Sequence, residues 1–220
     1  MLNRKSWKNT PNGWFNEKDD LITVLSEQHI TGSVRYCNVF HCSRCYKRYY
    51  LPWMLKRHAK KCMPSFDNIV YEQNDLSIAY VNVDSSPLER LICERISRIS
   101  QVESGWDFPL LHMNNWLNTD IRSHAFLLLK DRSIISYLAI RDQKLLHDKE
   151  LKDNRILSDI FTIHSYRQKG YAKILLLNAL EFLGEPFESL VFLTPFTDKG
   201  SNFVSAISKS LGVLKISTCH

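Results

Sequence analysis

Hydrophobic and polar positions change their period several times along the chain, and these changes predict strands and helices in turn. Residues 67–83 alternate around a polar turn at 73–75, which predicts a hairpin, and 88–102 repeats its apolar residues at helical spacing. Two further apolar runs, 125–129 and 134–140, flank a short charged turn and predict an antiparallel pair. Runs of strands interrupted by helices in this order favour an α+β fold.

The second half of the chain holds the most regular pattern. A short apolar run at 156–163 predicts a buried strand, and after a basic loop the apolar residues of 171–183 recur at helical spacing until Gly184 stops them. We expect 141–155 to be a charged connection that leads into this strand. A strand at 190–193, a short helix after residue 200 and an apolar piece at 211–216 follow.

These patterns divide the chain into three parts. We assign residues 1–35 to an N-terminal arm that holds at most one docked element, because this stretch is polar and mixed in charge. Residues 36–66 form a small module rich in cysteine, and residues 67–220 form the larger domain.

Composition indicates a globular protein with an anionic partner. The 220 residues are 44% hydrophobic, enough for a proper core. The formal net charge of +6 suits nucleic acid, chromatin or coenzyme A, although a solvated basic face explains it almost as well. The sequence contains no signal-peptide pattern and no apolar run long enough to cross a bilayer, so we expect an intracellular protein without a membrane partner.

Four residues of the cysteine-rich module have the spacing of a zinc site. Cys42 and Cys45 form a Cys-x2-Cys knuckle, and His58 and Cys62 follow one helical turn apart. In a reducing compartment such a cluster indicates metal rather than disulfides, and Zn²⁺ would supply folding free energy to so short a segment. The alternative is that these side chains sit independently on a basic helix.

Other residues of the module leave alternatives open. Cys37 and His41 are close enough to replace a ligand, although a strand leading into the knuckle is the simpler interpretation. An apolar plug is expected from Tyr49, Trp53, Met54 and Leu55. The basic helix could make a weak contact with DNA phosphates, but a single finger of this kind more often serves as a structural support.

The loop before the second predicted helix has the chemistry of a phosphate site. Unpaired N–H groups of a first helical turn and the helix dipole attract anions, and this loop adds Arg167 and Lys169 to them. Gly170 allows a close approach of the backbone, and Ala172 keeps that approach open. The form Arg-x-x-Gly-x-Ala is the pattern of acyl-CoA N-acetyltransferases; a basic turn in an unrelated α/β domain is the alternative.

Together these features resemble the MYST family of histone acetyltransferases, from about residue 36 to residue 200. The finger spacing Cys-x2-Cys-x12-His-x3-Cys is that of the family. The loop Tyr166–Lys173 is similar to the family's Tyr-Gln-Arg-x-Gly-Tyr-Gly-Lys, the helix position of Glu181 matches the family's Ser-Tyr-Glu-Leu, and 195–200 is similar to Pro-Leu-Ser-Asp-Leu-Gly.

The resemblance implies a GNAT-like acyl-CoA N-acyltransferase fold with an N-terminal C2HC zinc finger. It implies acetyl-CoA as cofactor, a histone or other basic protein tail as substrate, chromatin complex subunits as partners and a nuclear location. The residues expected to contact acetyl-CoA are Ile160, Thr162, Arg167, Gln168, Lys169, Gly170, Tyr171, Ala172 and Lys173.

The sequence departs from the family where the family carries its chemistry. Asp159 stands where the central strand of the family has a cysteine, and Leu193 stands at the position of the catalytic glutamate. The lysine that the family acetylates on itself would lie near Asn115, in a segment that matches poorly, and the resemblance ends near Gly200, before the family's winged-helix-like part.

Asp159 is the best-placed candidate for a catalytic base. A carboxylate in a partly dry cleft can have its pKa raised far enough to accept a proton from a lysine ammonium. His164, Tyr166, Glu185 and Glu188 are possible helpers. The alternative is that Asp159 pairs with a basic group or faces solvent at a strand edge.

Three functions fit this sequence. The first is acetyl-CoA-dependent lysine acetylation of MYST type. The second is a catalytically inactive MYST-like pseudoenzyme that acts as a chromatin or protein-interaction module, since both family residues are lost. The third is a GNAT that acts on a small amine, for which a zinc finger would be unexpected.

Overall fold

The structure of the protein is a computed structural model. It describes residues 8–10, 13–18, 21–30, 33–104, 123–147, 150–186, 189–194, 198–211 and 215–218. Its larger unit is a seven-stranded sheet in the order β12-β11-β10-β9-β8-β7-β6. The strands are β6 (Ile69–Gln73), β7 (Leu76–Val81), β8 (Ser123–Lys130), β9 (Ser133–His147), β10 (Glu150–Thr162), β11 (Leu190–Thr194) and β12 (Lys215–Thr218).

Strands β6 to β10 pair with their neighbours in antiparallel fashion, whereas β11 pairs in parallel with both β10 and β12. The parallel connections pass through helices, as the geometry of parallel strands requires. These helices are α3 (Tyr171–Leu183) and α4 (Asp198–Leu211). The predicted hairpin at 67–83 and the predicted pair at 125–140 both form, with longer strands in the second case.

Both faces of the sheet are covered, which explains the uninterrupted apolar run in β8. Phe126 and Leu128 point to one hydrophobic cluster, together with the buried leucines of α3 and with Val204 and Ile207 of α4. Leu127 of the same strand points to the other cluster, with Ile92 and Ile96 of helix α2 (Pro87–Ser104). Successive side chains of one strand therefore enter different cores.

Helix α2 begins with a capping box that the sequence analysis did not use. The Ser86 backbone N–H and hydroxyl donate to Glu89 Oε2 at 2.9 and 2.7 Å, and the Glu89 N–H donates to the Ser86 hydroxyl at 3.3 Å. This reciprocal pattern satisfies N–H groups at the start of the helix. The carboxylate is buried and also accepts a hydrogen bond from the Asp67 N–H, which ties the start of α2 to the preceding loop.

The N-terminal region differs from the expected arm with one element. It forms β1 (Lys8–Thr10), β2 (Gly13–Lys18), β3 (Leu21–Ile30) and the first part of β4 (Ser33–Cys42). These strands make a second sheet in the order β1-β2-β3-β4-β5, where β5 is Arg48–Tyr49. Because β4 runs into the first cysteine of the knuckle, the proposed boundary at residue 35 falls inside a strand; the division into domains stays a prediction.

The segment 141–155 is also corrected, since it is not a connection but the outer part of a long hairpin. Strands β9 and β10 pair from Ser136 and Thr162 out to His147 and Glu150. The predicted short helix after residue 200 is the longer α4, and the last predicted apolar piece is divided between the end of α4 and β12. Within the described residues, no helix is both long and apolar enough to span a membrane.

Candidate active site and metal centre

A cleft opens in the main sheet where β10 and β11 separate. Their parallel pairing covers Arg155–Leu157 opposite Leu190–Phe192, and in the described residues the two strands are not paired beyond that point. Both strands nevertheless continue, β10 to Thr162 and β11 to Thr194. A ligand that lies between the diverging strands can use the backbone groups that a regular sheet would have paired.

A β-bulge lies at the start of this cleft. The register of β10 against β9 shifts between Leu157 and Asp159, so Ser158 is the additional residue. A bulge of this kind bends the strand and turns the next side chain. Here it directs Asp159, like Phe161 and Ile163 after it, to the side of the sheet covered by α2.

Asp159 is neither at a solvated edge nor paired with a basic group in the described part of the chain. Ser100 Oγ donates to its Oδ1 at 2.7 Å, and Ser97 Oγ donates to its Oδ2 at 2.9 Å. The residue as a whole is half-buried, but its carboxyl group is enclosed between the strand and α2. Burial raises the pKa of this carboxyl to about 6, against the hydrogen bonds from Ser100, Ser97 and the Ile160 N–H, which lower it.

The two serines are the part of this site that sequence reasoning missed. Ser97 is 1% exposed and Ser100 is 4% exposed, and both lie on the apolar face of α2 beside Ile96. Hydroxyl groups on the buried face of an amphipathic helix need partners, since burying an unpaired hydroxyl is costly. That signal was present in the sequence, although it did not identify Asp159 as the partner.

The loop between β10 and α3 presents open donors at a helix start. Helix α3 begins at Tyr171 with Gly170 as its N-cap, and no side chain caps it. Gly170 has φ +82° and Gln168 has φ 60°, both in the left-handed region, and nothing lies within 4 Å of the position that a Cβ on Gly170 would take. With no acidic residue in the first turn, this helix end suits a phosphate group.

The basic side chains of the loop lie close to its aromatic residues. Arg167 folds back onto β10, where its Nε donates to the Thr162 carbonyl at 2.7 Å and its guanidinium lies 5.9 Å from the centre of the Phe161 ring. Lys169 Nζ lies 5.5 Å from the centre of the Tyr166 ring. Arg167 therefore fixes the end of β10 relative to the loop.

The remaining predicted cofactor residues are placed along the same path. Ile160 and Tyr171 pack against the hydrophobic cluster that contains the buried leucines of α3. Thr162 and Ala172 are half-buried, and Lys173 is exposed. Their contact with acetyl-CoA stays a prediction.

Among the proposed helpers of Asp159, Tyr166 packs against both hydrophobic clusters. Glu185 is engaged elsewhere, since Oε1 pairs with Arg155 Nη1 at 2.9 Å and Oε2 accepts from the Ser189 hydroxyl. The side chains of His164 and Leu193, as well as Glu188, Asn115 and the Pro195–Thr197 motif, lie outside the described residues.

The four predicted zinc ligands come together in one cluster. The donor atoms of Cys42, Cys45, His58 and Cys62 all lie within 4.8 Å of one another, and Cys45 Sγ is 3.2 Å from His58 Nε2. Ligand atoms around a tetrahedral zinc ion lie about 3.5 to 3.8 Å apart. Three sulfurs and one imidazole at these distances fit Zn²⁺. The side chain of Cys37 lies outside what the structure describes, so its role as an alternative ligand stays a prediction.

The thiols influence one another's proton affinity. A hydrogen bond from the Cys45 thiol lowers the pKa of Cys42 to about 5, and the same bond raises the pKa of Cys45. Burial raises the pKa of Cys62. A cation that takes the place of these protons would hold all three sulfurs as thiolates, which is the form that binds zinc.

Short-range contacts hold the ligands in place. Helix α1 (Pro52–Ala59) begins with proline at its first position, and one turn after the helix the Cys62 N–H donates to the Ala59 carbonyl at 3.4 Å. Arg44 Nη1 donates to the carbonyls of Ala59 and Cys62 at 3.2 and 3.0 Å, which closes the knuckle against the end of the helix.

The expected apolar plug is only partly correct. Leu55 is fully buried and Tyr49 is half-buried with its ring 5.1 Å from that of His58. Trp53 and Met54, in contrast, are exposed. Their positions on α1 place them away from the face that carries Leu55.

Comparisons with known proteins identify the fold. Neither protein-family models nor curated proteins give a match to this sequence. A solved structure of the xEco2 acetyltransferase domain bound to a CoA conjugate superposes with a TM-score of 0.55 at 15% identity, and covers 70% of this chain and 98% of that one. A second structure of the xEco2 acetyltransferase domain gives a TM-score of 0.53 at 15% identity over 70% of this chain and 96% of that chain.

At this level of identity the likeness establishes the fold alone. The predicted GNAT-like fold is confirmed, and the cysteine and histidine cluster near the N-terminus is compatible with the predicted zinc module.

Proposed function

We propose that this chain is an acetyl-CoA-dependent N-acetyltransferase that acts on lysine side chains. The observation that supports the proposal is that three features follow one another along the second half of β10 and the loop after it. The pairing of β10 with β11 ends at Leu157, the bulge that orients Asp159 comes next, and the uncapped start of α3 follows the strand. The xEco2 neighbours, whose names describe acetyltransferase domains, support the same assignment.

Each part of the site has a role in this proposal. When bound, acetyl-CoA supplies the acetyl group as a thioester. The N–H groups at the start of α3 and the loop 168–172 bind its phosphates. Asp159 would take a proton from the lysine ammonium, so that the neutral amine can bond to the acetyl carbon while the C–S bond breaks and the thiol of coenzyme A leaves with a proton. A carboxyl with a pKa of about 6 is mostly ionised at neutral pH and is more basic than an ordinary aspartate.

The finer assignment rests on the resemblance to the MYST family. We propose a histone tail, or another basic protein tail, as the substrate, with subunits of chromatin complexes as partners and the nucleus as the location. The Cys42–Cys62 module supports this choice over a small-amine GNAT, because such an enzyme has no need of the finger.

A second function has an observation of its own. Both oxygens of Asp159 already accept hydrogen bonds from serines, which stabilises the carboxylate and reduces its tendency to take a further proton. If this effect dominates, the protein is a MYST-like pseudoenzyme that binds acetyl-CoA without transferring the acetyl group and acts as an interaction module.

The deciding experiment combines two measurements on one zinc-loaded preparation: calorimetric titration with acetyl-CoA, and transfer of radiolabelled acetyl groups to core histones. Binding with transfer that is lost in Asp159→Asn supports the acetyltransferase. Binding without transfer supports the pseudoenzyme. Absence of binding contradicts both, because each assigns acetyl-CoA to the loop.

The chain offers a matched control for the loop. Gly170 and Gly184 lie at opposite ends of α3, both have positive φ, and both have open space where a Cβ would lie. Glutamate at either position costs about 1 to 2 kcal/mol of backbone strain. Only Gly170→Glu places a carboxylate where the phosphates are proposed, so Gly184→Glu should lose similar stability but keep its affinity for acetyl-CoA.

A further inference from the structure

The outer face of α1 carries a row of side chains that neither the metal site nor the acetylation site uses. Trp53, Lys56, Arg57 and Lys60 follow one another at helical spacings of three, four and seven residues from the first, so they share one face. Leu55, which is fully buried, lies on the opposite face. Helix α1 thus directs Leu55 into the core and this row of side chains towards the solvent. We give the name finger face to this row together with the other exposed residues between Lys47 and Lys61.

The finger face is basic and has no internal counter-charge. The sequence from residue 33 to residue 66 contains eight Lys and Arg residues and no Asp or Glu. Six of these basic residues are exposed, and none of the six forms an ion pair with another residue in the described part of the chain. They are Lys47, Arg48, Lys56, Arg57, Lys60 and Lys61.

Large apolar side chains stand among these charges. Trp53 is 60% exposed and Tyr50 is 53% exposed, and the Arg48 guanidinium lies 5.4 Å from the centre of the Tyr50 ring. Leu51 and Met54 are exposed beside them. Exposed aromatic rings interleaved with unpaired cations are the chemistry of a surface that binds phosphates and stacks on flat, unsaturated rings.

We propose that the finger face binds single-stranded nucleic acid, an activity that goes beyond acetylation. The cations neutralise the phosphates, while Trp53 and Tyr50 stack on unpaired bases. A basic protein tail does not fit here, since like charges would repel it. A duplex offers phosphates but keeps its base faces stacked inside, so it would leave Trp53 without a partner.

The test measures the fluorescence anisotropy of a labelled oligouridine and of a mixed-sequence DNA duplex of equal length, titrated with the full zinc-loaded chain. We expect tighter binding of the oligouridine. Trp53→Ala should weaken it at least about fivefold, because stacking on an aromatic residue contributes about 1 to 3 kcal/mol per base. Trp53→Phe keeps an aromatic ring and should retain most of the affinity.

Salt dependence tests the charged part separately. Each lysine that contacts a phosphate of a single strand contributes about 0.7 to the slope of log affinity against log salt concentration. Lys56→Gln combined with Lys60→Gln should therefore lower the slope by about 1.4. Lys209→Gln, at an exposed position on α4, serves as the matched control and should leave both slope and affinity unchanged.

Three results would overturn the proposal, provided that the variants keep one zinc per chain and so have a folded finger. These are no oligouridine binding at low salt, unchanged affinity in Trp53→Ala, or a preference for the duplex. The last result would show contact with phosphates alone. None of these outcomes depends on acetyl transfer, so the proposed function is tested independently.

Discussion

Replacing Asp159 with asparagine tests the environment of the proposed base without any assay of activity. Burial raises the pKa of this carboxyl from its ordinary 3.8 to about 6 in the folded chain. A group that holds its proton more tightly when folded stabilises the fold at low pH. This contribution is fully present below the unfolded pKa and disappears as the pH rises through the folded pKa.

The size of the effect follows from those two values. The difference between 3.8 and about 6 corresponds to about 3 kcal/mol between the extremes of pH. Between about pH 5 and about pH 7.5, a range in which most other carboxyl groups are already ionised, the part lost is about 1 to 2 kcal/mol. Asp159→Asn cannot ionise and does not lose it. The serine hydroxyls can reorient to satisfy the amide, since each is both donor and acceptor.

The assay is urea unfolding, followed by circular dichroism, of the wild type and Asp159→Asn at both pH values. Relative to the wild type, the variant should gain about 1 to 2 kcal/mol on going from the lower to the higher pH. Zinc affinity also changes with pH, but both proteins have the same ligands, so its effect cancels. Asp131 is an exposed turn residue with φ 48°, and Asp131→Asn is the control that makes the same chemical change outside the core. A stability difference that is independent of pH would refute the raised pKa.

Two further changes test the finger. Cys45→Ala should abolish binding of one zinc per chain and, with it, the folding of the module. Cys93→Ala, at a buried cysteine of α2 that is not one of the four predicted ligands, should keep the metal. A metal assay and thermal melting of both variants check this. Tyr46→Phe removes the buried hydrogen bond to the Ile134 carbonyl at 2.9 Å and should cost about 1 to 3 kcal/mol, measured by urea unfolding, while Tyr71→Phe, which removes a bond between exposed groups, should cost little.

Local signals made the loop and α3 predictable from the sequence. The predicted helix 171–183 agrees with the observed Tyr171–Leu183 because a glycine in the left-handed region stands at each end. The clustering of the four predicted zinc ligands was predictable for a similar reason, since they lie within 21 residues and their spacing alone restricts the geometry.

Contacts between distant segments were not predictable in this way. Ser97 and Ser100 meet Asp159 across 62 and 59 residues of sequence, and no periodicity connects them. The long β9–β10 hairpin was missed because its charged residues have low strand propensity, although Asp142 stands opposite Arg155, and Lys144 stands opposite Asp153. Opposite charges at facing positions favour pairing, but they are recognised only when the register is known.

The predicted zinc module and the proposed base belong to one structural unit. A single hydrophobic cluster contains the three cysteine ligands, Leu55 of α1, the buried isoleucines of α2 and Phe161 of β10. Polar contacts reinforce it: Arg95 Nη1 of α2 donates to the Cys45 carbonyl at 3.1 Å, and the Ile134 N–H donates to the Ser43 carbonyl at 3.0 Å.

Helix α2 is the element that connects the two sites. Arg95 ties it to the knuckle, and two and five residues later Ser97 and Ser100 hold the Asp159 carboxylate. If the cluster holds zinc as predicted, removal of the ion should unfold the knuckle that Arg95 contacts and loosen the helix that positions both serines. Through α2 the predicted finger therefore supports the proposed active site around Asp159, while the finger face is the surface proposed for nucleic acid.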